Sequence, residues 1–261
     1  MTEYGFKVEE ALGEIERHWR EWAKATGARR WVVGVSGGVD SSVVLALACR
    51  FFGFENVIGV MLPKGTQKDI GDSRRIIEHT GASPLTINVE GCVNEIVTQM
   101  LSVGMPITGL VDINLPPRIR LAALYAVAQS AKAMVLNTSN LSEDMLGYAT
   151  LWGDTCGSYA PIQALTKTEV MELADAIGVP HDLGHKTPAD GLQDKSDEER
   201  LGLTYADVDR FIRTGEASDH VRATSLRLYR ANRFKLEMIR LPGPKFTGWY
   251  PNHIKEEGDG E

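Results

Sequence analysis

Cysteine is scarce in this chain: Cys49, Cys92 and Cys156 are the only three among 261 residues, and no two form a CxxC pair. That excludes a disulfide framework and a cysteine-built zinc or iron–sulfur centre, and leaves the thiols as structural filler. Long apolar runs are also missing. The longest, Val43–Ala48 and Leu121–Ala128, fall far below the ~18 residues that a membrane-spanning helix needs. There is no lysine- or arginine-rich run, and the formal net charge is −7. Both argue against nucleic acid as a partner, because a large footprint on phosphates requires a clustered basic surface. The N-terminal MTEYGFKVEE lacks the basic region and apolar stretch of a signal peptide, so the expected location is cytoplasmic, with no membrane partner. Neither an internal repeat nor a low-complexity block occurs.

What is present is an ordinary globular composition, 43% hydrophobic and 24% charged, long enough to bury a large core, and one domain over 1–261 is expected. Residues 7–26 place Val8, Ala11, Leu12, Ile15, Trp19, Trp22 and Ala23 at helical spacing, an amphipathic first helix. Then short apolar runs alternate with helical patterns. Strands are predicted at Trp31–Val35, Val57–Leu62, Leu85–Val89 and Ala133–Asn137. Helices are predicted at Asp40–Phe52, Ile70–Thr80, Val93–Leu101 and Ile113–Lys132. This alternation predicts an α/β fold with a doubly wound, Rossmann-like parallel sheet and added N- and C-terminal helices. Capping boxes at Thr166 with Glu169 and at Ser196 with Glu199 mark two later helix starts. Between them, HKTPADGLQDKSDEE has the composition of a polar lid. Tyr205–Ile239 reads as helical and the proline-containing tail from Leu241 as irregular.

The segment with the most chemistry is GVSGGVDSS, Gly34–Ser42, between the first strand and its helix. In open α/β sheets ligands sit beyond the carboxyl ends of strands, where amides at a helix N-terminus attract anions. Gly37 and Gly38 offer no β-carbon to obstruct a phosphate, and Ser36, Ser41 and Ser42 can donate hydroxyl hydrogens. An acid beside a phosphate repels it, so Asp40 makes sense as a ligand for Mg²⁺ travelling with nucleotide phosphates. The plainer alternative is a tight turn in which Asp40 caps the helix.

This segment resembles the SGGxDS signature of the N-type ATP-pyrophosphatase superfamily, whose fold is of the adenine nucleotide α-hydrolase type. Downstream motifs resemble the ammonia-dependent NAD synthetases within it. NLPPRIRLAALYAVAQ, Asn114–Gln129, is similar to that family's NxxARxRM helix, NTSNLSE to its GTxxxxE, and Tyr148–Val170 to its YGDGxxDxxPLxxLxKxxV. Lys186–Asp209 is similar to its loop ending TDExxLGxxYxxID. The resemblance implies ATP as co-substrate on Gly34, Ser36, Gly37, Gly38, Asp40, Ser41, Ser42, Thr138 and Lys167. It further implies Mg²⁺ on Asp40 and Glu143, catalytic roles for Lys167 and Asp40, and deamido-NAD on Arg118, Asp154 and Lys235. The implied reaction adenylates the deamido-NAD carboxylate and lets ammonia displace AMP, giving NAD and pyrophosphate. No glutaminase domain is recognisable, so free ammonia or a separate glutaminase partner is expected, and a homodimer is implied by the family.

Several positions depart from the family pattern. Leu151 stands where a lysine or arginine is common, Ser158 where an aspartate follows, Pro188 near the threonine of PTAD, and Phe234 in place of a histidine. These leave open a related enzyme that adenylates a different small acid or a tRNA base. A third reading is a module that binds a nucleotide without turning it over.

Overall fold

The computed structural model describes residues 4–67, 70–186 and 197–238. Four strands form one parallel sheet in the order β3-β2-β1-β4. They are β1 (Trp31–Gly34), β2 (Val57–Met61), β3 (Ser83–Thr86) and β4 (Met134–Leu136). Helix α1 (Val8–Thr26) precedes β1, and α2 (Val39–Phe52) returns the chain to β2. α3 (Ile70–Thr80) leads to β3, while α4 (Glu90–Ser102) and α5 (Gly109–Ala131) carry the chain to β4. There follow α6 (Leu141–Leu146), α7 (Lys167–Ala176), the single turn α8 (His181–Gly184), and α9 (Asp197–Leu201). α10 (Tyr205–Thr214), α11 (Asp219–Asn232) and α12 (Phe234–Met238) complete the described chain.

The central strand is buried on both faces, and side chains alternate between two cores as the period of two requires. Trp31 and Val33 enter a core with Trp19 of α1, Val43, Val44 and Leu47 of α2, and Val170 and Leu173 of α7. Val32 points the other way, to Val60, Val135 and, from α5, Leu124 and Ala128. Trp19 anchors the first core: its ring stacks on Tyr159 at 5.1 Å and meets Trp31 edge-on at 5.2 Å. Burying an aromatic of this size stabilises by roughly 3 kcal/mol. Beyond the sheet, α6, α10 and α11 close a smaller apolar cluster around Leu146, Phe211 and Val221.

Two elements differ from their sequence expectation. β3 lies at Ser83–Thr86, ahead of the apolar run at Leu85–Val89, because the parallel register on β2 pairs Ile58 with Ser83 and Met61 with Thr86. It is an edge strand with all four residues exposed, so apolar content was a poor guide to it. The helical stretch expected from Tyr205 is broken twice: once where Gly215, at φ 76°, ends α10 and Ser218 caps α11 by accepting from Val221 N–H, and again at Arg233, which separates α11 from α12. Of the lid segment, His185, Lys186 and the start of α9 are described, and the expected Ser196 cap, Pro188 and the tail from Leu241 lie outside the described residues.

Candidate functional site

Because β1 and β4 are parallel and in register, Val33 opposite Leu136, both carboxyl ends open on the same edge of the sheet. β1 continues through α2 to β2 on one side, while β4 arrives on the other from a distant part of the chain, so the crevice between their exit loops is the topological switch point. The phosphate-site candidates fall at the end of β1, in the turn and first turn of α2 that follow it, between β4 and the first turn of α6, and on α7.

The β1 exit is a built turn. Gly37 takes φ 83°, and a β-carbon there would stand 2.9 Å from Ser73 N and from Asp72 Cβ. Only glycine fits such a position without moving α3. Ser41 Oγ accepts from Ser36 N at 3.2 Å and donates to Gly38 O, and the fully buried Ser42 donates to Gly38 O at 2.8 Å. Ser41 and Ser42 therefore hold the turn's shape from inside, whereas Ser36 is exposed. Gly38 is the N-cap of α2 and makes no side-chain cap, so no capping side chain satisfies the first amides of the helix. Asp40 does not cap the helix.

Instead Asp40 reaches across to the β4 loop. Asn140, the N-cap of α6, donates from Nδ2 to Asp40 Oδ1 at 2.9 Å and accepts Glu143 N–H on Oδ1 at 3.0 Å. One amide thus orients both acids. Lys167 Nζ lies between them, 2.6 Å from Asp40 Oδ2 and 2.7 Å from Glu143 Oε1. Its side chain is only 3% exposed, so the three groups act as one desolvated cluster. Burial works against the ammonium, yet Asp40 and Glu143 outweigh it and hold Lys167 well above the ordinary lysine range. Burial also pushes Glu143 up, and the neighbouring Asp40 charge adds to this, against the pull of Lys167.

Lys167 is fixed from behind. Thr166 and Glu169 form the expected capping box, with Thr166 N donating to Glu169 at 2.8 Å. Glu169 is in turn held by Arg213 Nε at 2.7 Å. Lys167 N donates to Ser142 Oγ at 2.9 Å, and Ser142 donates to the buried Asp209, which also accepts Thr168 N at 2.8 Å. Burial pushes Asp209 up to about 6. Asn140, Ser142, Glu169, Asp209 and Arg213 were not among the sequence candidates for the site. Of these, Asn140 and Glu169 left local signals, an Asn three residues before a Glu at a helix start and the glutamate of the Thr166 capping box.

Of the remaining candidates, Arg118, Asp154 and Lys235 gather at the 147–154 segment. Thr138 follows β4 directly and is half-buried. Asn137 Nδ2 donates to Asp154 O at 2.7 Å, which ties this segment to the β4 exit, and Asp154 Oδ1 accepts Thr150 N at 2.6 Å. Arg118 Nε donates to Leu151 O at 3.1 Å, and Lys235 Nζ donates to Gly147 O and Ala149 O at 2.8 and 2.9 Å. Arg118, Asp154 and Lys235 therefore border one strip of backbone, while Arg120 turns away to Leu62 O at 2.9 Å. Gly34 sits at the end of β1 against Leu124, 3.1 Å from where its β-carbon would be.

Comparison with known proteins matches residues 12–238 to the NAD synthase family. The NH(3)-dependent NAD(+) synthetase of Pyrococcus horikoshii is 39% identical over 193 residues, 74% of each chain. Among solved structures, NMN synthetase from Francisella tularensis is similar with TM-score 0.83 and 27% identity, covering 91% of this chain and 99% of that one. NAD+ synthetase from Burkholderia pseudomallei is similar with TM-score 0.74 and 27% identity, covering 91% and 93%.

Proposed function

This chain belongs to the NAD synthase family, and from that membership we propose that it amidates deamido-NAD with ammonia at the expense of ATP, giving NAD, AMP and pyrophosphate. The observation that carries the reading is the meeting of Asp40, Glu143 and Lys167, from three separate segments, at the mouth of the glycine turn. A loop that only bound a nucleotide needs no buried lysine bridging two acids.

The turn amides and the N-terminus of α2 bind the triphosphate and orient its α-phosphorus for attack by the nicotinate carboxylate. Lys167, held by Ser142 and Asp209, supplies a positive charge where negative charge grows on the α-phosphate and the leaving pyrophosphate. The cluster fits a hard divalent cation: two carboxylate oxygens converge on one point now taken by an ammonium, and an all-oxygen donor set suits Mg²⁺. Asp40 and Glu143 would hold that ion. Bound there, it neutralises phosphate charge. Arg118, Asp154 and Lys235, along the 147–154 strip, would receive the deamido-NAD. Thr138, two residues past β4, would add a hydroxyl for ATP. Ammonia then displaces AMP from the mixed anhydride, a step that needs no enzyme nucleophile.

An exposed apolar surface on α4, α5 and their connection supports the homodimer. Leu101 is 58% exposed, Val103 75% and Leu110 70%, and exposed apolar side chains of this size suit burial against a second copy of the chain. Among the described residues no helix is long and apolar enough to cross a membrane. A cytoplasmic location and an ammonia supply from a separate glutaminase remain consistent expectations.

Incubating the protein with ATP, Mg²⁺, ammonia and deamido-NAD tests the reading. NAD and pyrophosphate form in equal amounts if it holds. Absence of NAD together with absence of substrate-dependent pyrophosphate overturns it. A second reading keeps the chemistry and shortens the acid to the mononucleotide whose amide is NMN. The likeness to the Francisella structure favours it, as do Leu151 and Phe234 at the substrate end. The ratio of kcat/KM for the two acids decides between them.

A further inference from the structure

α7 carries Lys167 in its first turn and Asp175 in its last. At a rise of 1.5 Å per residue Asp175 lies about 12 Å along the axis from the site lysine. The chain then turns through Gly178, at φ 81°, into α8. His181 opens that turn and His185 closes it, with His185 N donating to His181 O at 2.9 Å. One helical turn apart, the imidazoles stack with ring centres 4.2 Å apart and planes 18° from parallel. His185 Nε2 is 3.0 Å from each carboxylate oxygen of Asp175. A ring nitrogen from each histidine and an oxygen of Asp175 all lie within 4.8 Å of one another.

We infer that Asp175, His181 and His185 form a binding site for a divalent transition-metal ion of the zinc class, separate from the magnesium of the reaction. Two ligands bound at about 2.0–2.1 Å to a tetrahedral ion stand about 3.4 Å apart. His185 and Asp175 already have nearly that spacing, and His181 joins them by turning its ring out of the stack with His185. Two imidazole nitrogens with one carboxylate suit Zn²⁺, Co²⁺, Ni²⁺ or Cu²⁺, whereas Mg²⁺ and Ca²⁺ favour oxygen donors throughout. All three side chains are exposed, so water completes the coordination.

The frame beneath them is rigid, which lowers the ordering cost of binding. Leu183 and Gly184 are buried, and Val179 N donates to Ala174 O at 3.0 Å. From α3, Arg75 grips both oxygens of Asp182 at 2.7 and 3.1 Å, and His79 meets Gly178 O at 2.9 Å. A metal here replaces the His185–Asp175 hydrogen bond with coordination and clips α8 onto α7. The residue after His185 is Lys186, whose Nζ pairs with Asp72 at 2.8 Å beside the Gly37 turn.

Untagged full-length protein, stripped with a chelator and transferred to metal-free buffer, is titrated with Zn²⁺ by calorimetry and with Co²⁺ by visible absorption. One equivalent is expected to bind with micromolar or tighter affinity, without competition from millimolar Mg²⁺. His181→Ala and His185→Ala each weaken binding at least tenfold, and the double variant abolishes it while leaving turnover with Mg²⁺ and ATP unchanged. Cys92→Ser, which removes an exposed thiol, has no effect. A hundredfold excess of Zn²⁺ over Kd raises the melting temperature of the wild type by about 5 °C and leaves the double variant unmoved. Binding of the same strength in the double variant, or no equivalent bound below millimolar Zn²⁺, overturns the site.

Discussion

Lys167→Met is the substitution to which the proposed site should be most sensitive, because methionine fills much of the lysine's volume and removes only the charge. The ammonium is 2.6 Å from Asp40 and 2.7 Å from Glu143 in a nearly inaccessible position. Its loss leaves two carboxylates facing each other with little water. Removing one partner of a buried ion pair costs about 3–5 kcal/mol, most of it the stranded charge rather than the pair itself. We take about 4 kcal/mol, which for a chain of this size lowers the melting temperature by roughly 10 °C. Urea unfolding followed by tryptophan fluorescence measures it directly, without ATP or metal. The charge argument also requires that the triple variant with Asp40→Asn and Glu143→Gln recover most of the loss. Mg²⁺ should raise the midpoint of Lys167→Met more than that of the wild type, since the two acids then lack an internal cation. A Lys167→Met protein within ~1 kcal/mol of wild type, or a triple variant less stable than the single one, would refute the account of a charge-matched buried cluster.

Three further outcomes follow from other parts of the structure. Asp209, pushed by burial up to about 6 from an ordinary 3.8, holds its proton more tightly when folded; its stabilising contribution is full below about pH 4 and lost as pH rises through about 6. Asp209→Asn has no such loss, so denaturation across that range should show its stability relative to wild type improving by roughly 3 kcal/mol towards neutral pH, while pyrophosphate release falls because Lys167 loses its support. Gly37→Ala forces a β-carbon to 2.9 Å from Ser73 N at positive φ, and should cost at least about 2 kcal/mol in urea unfolding with a raised KM for ATP. Leu110→Glu on the exposed α5 surface should convert a dimer to monomer in analytical ultracentrifugation; an unchanged sedimentation coefficient on an already monomeric wild type would remove the dimer proposal.

The sequence carried the local decisions. The apolar runs of β1, β2 and β4, helical spacing in α1 and α3, and the Thr166 capping box are set by neighbours within a turn or two and appear in the structure, whereas β3 was placed by its register on β2. Gly37 was legible for the same reason, since a tight strand-to-helix turn needs a residue free to take positive φ. The break at Gly215 and Ser218 was equally local, a C-terminal glycine followed by an N-cap. It could have been read there.

The site itself was legible as a set of residue types and not as an arrangement. Asp40, Glu143 and Lys167 are 103 and 24 residues apart along the chain, and nothing in their own segments states that one ammonium joins both acids. That was decided by the parallel pairing of β1 with β4, which puts two exit loops side by side, and by α7 packing on α2, which brings a first-turn lysine into the gap. The same holds for Asn140 and Asp209, whose partners lie 100 and 67 residues away. Backbone preference acts over a few residues and fixes the elements; a buried charge is tolerable only where distant partners meet it, so the fold alone determined which acids and which lysine share the crevice.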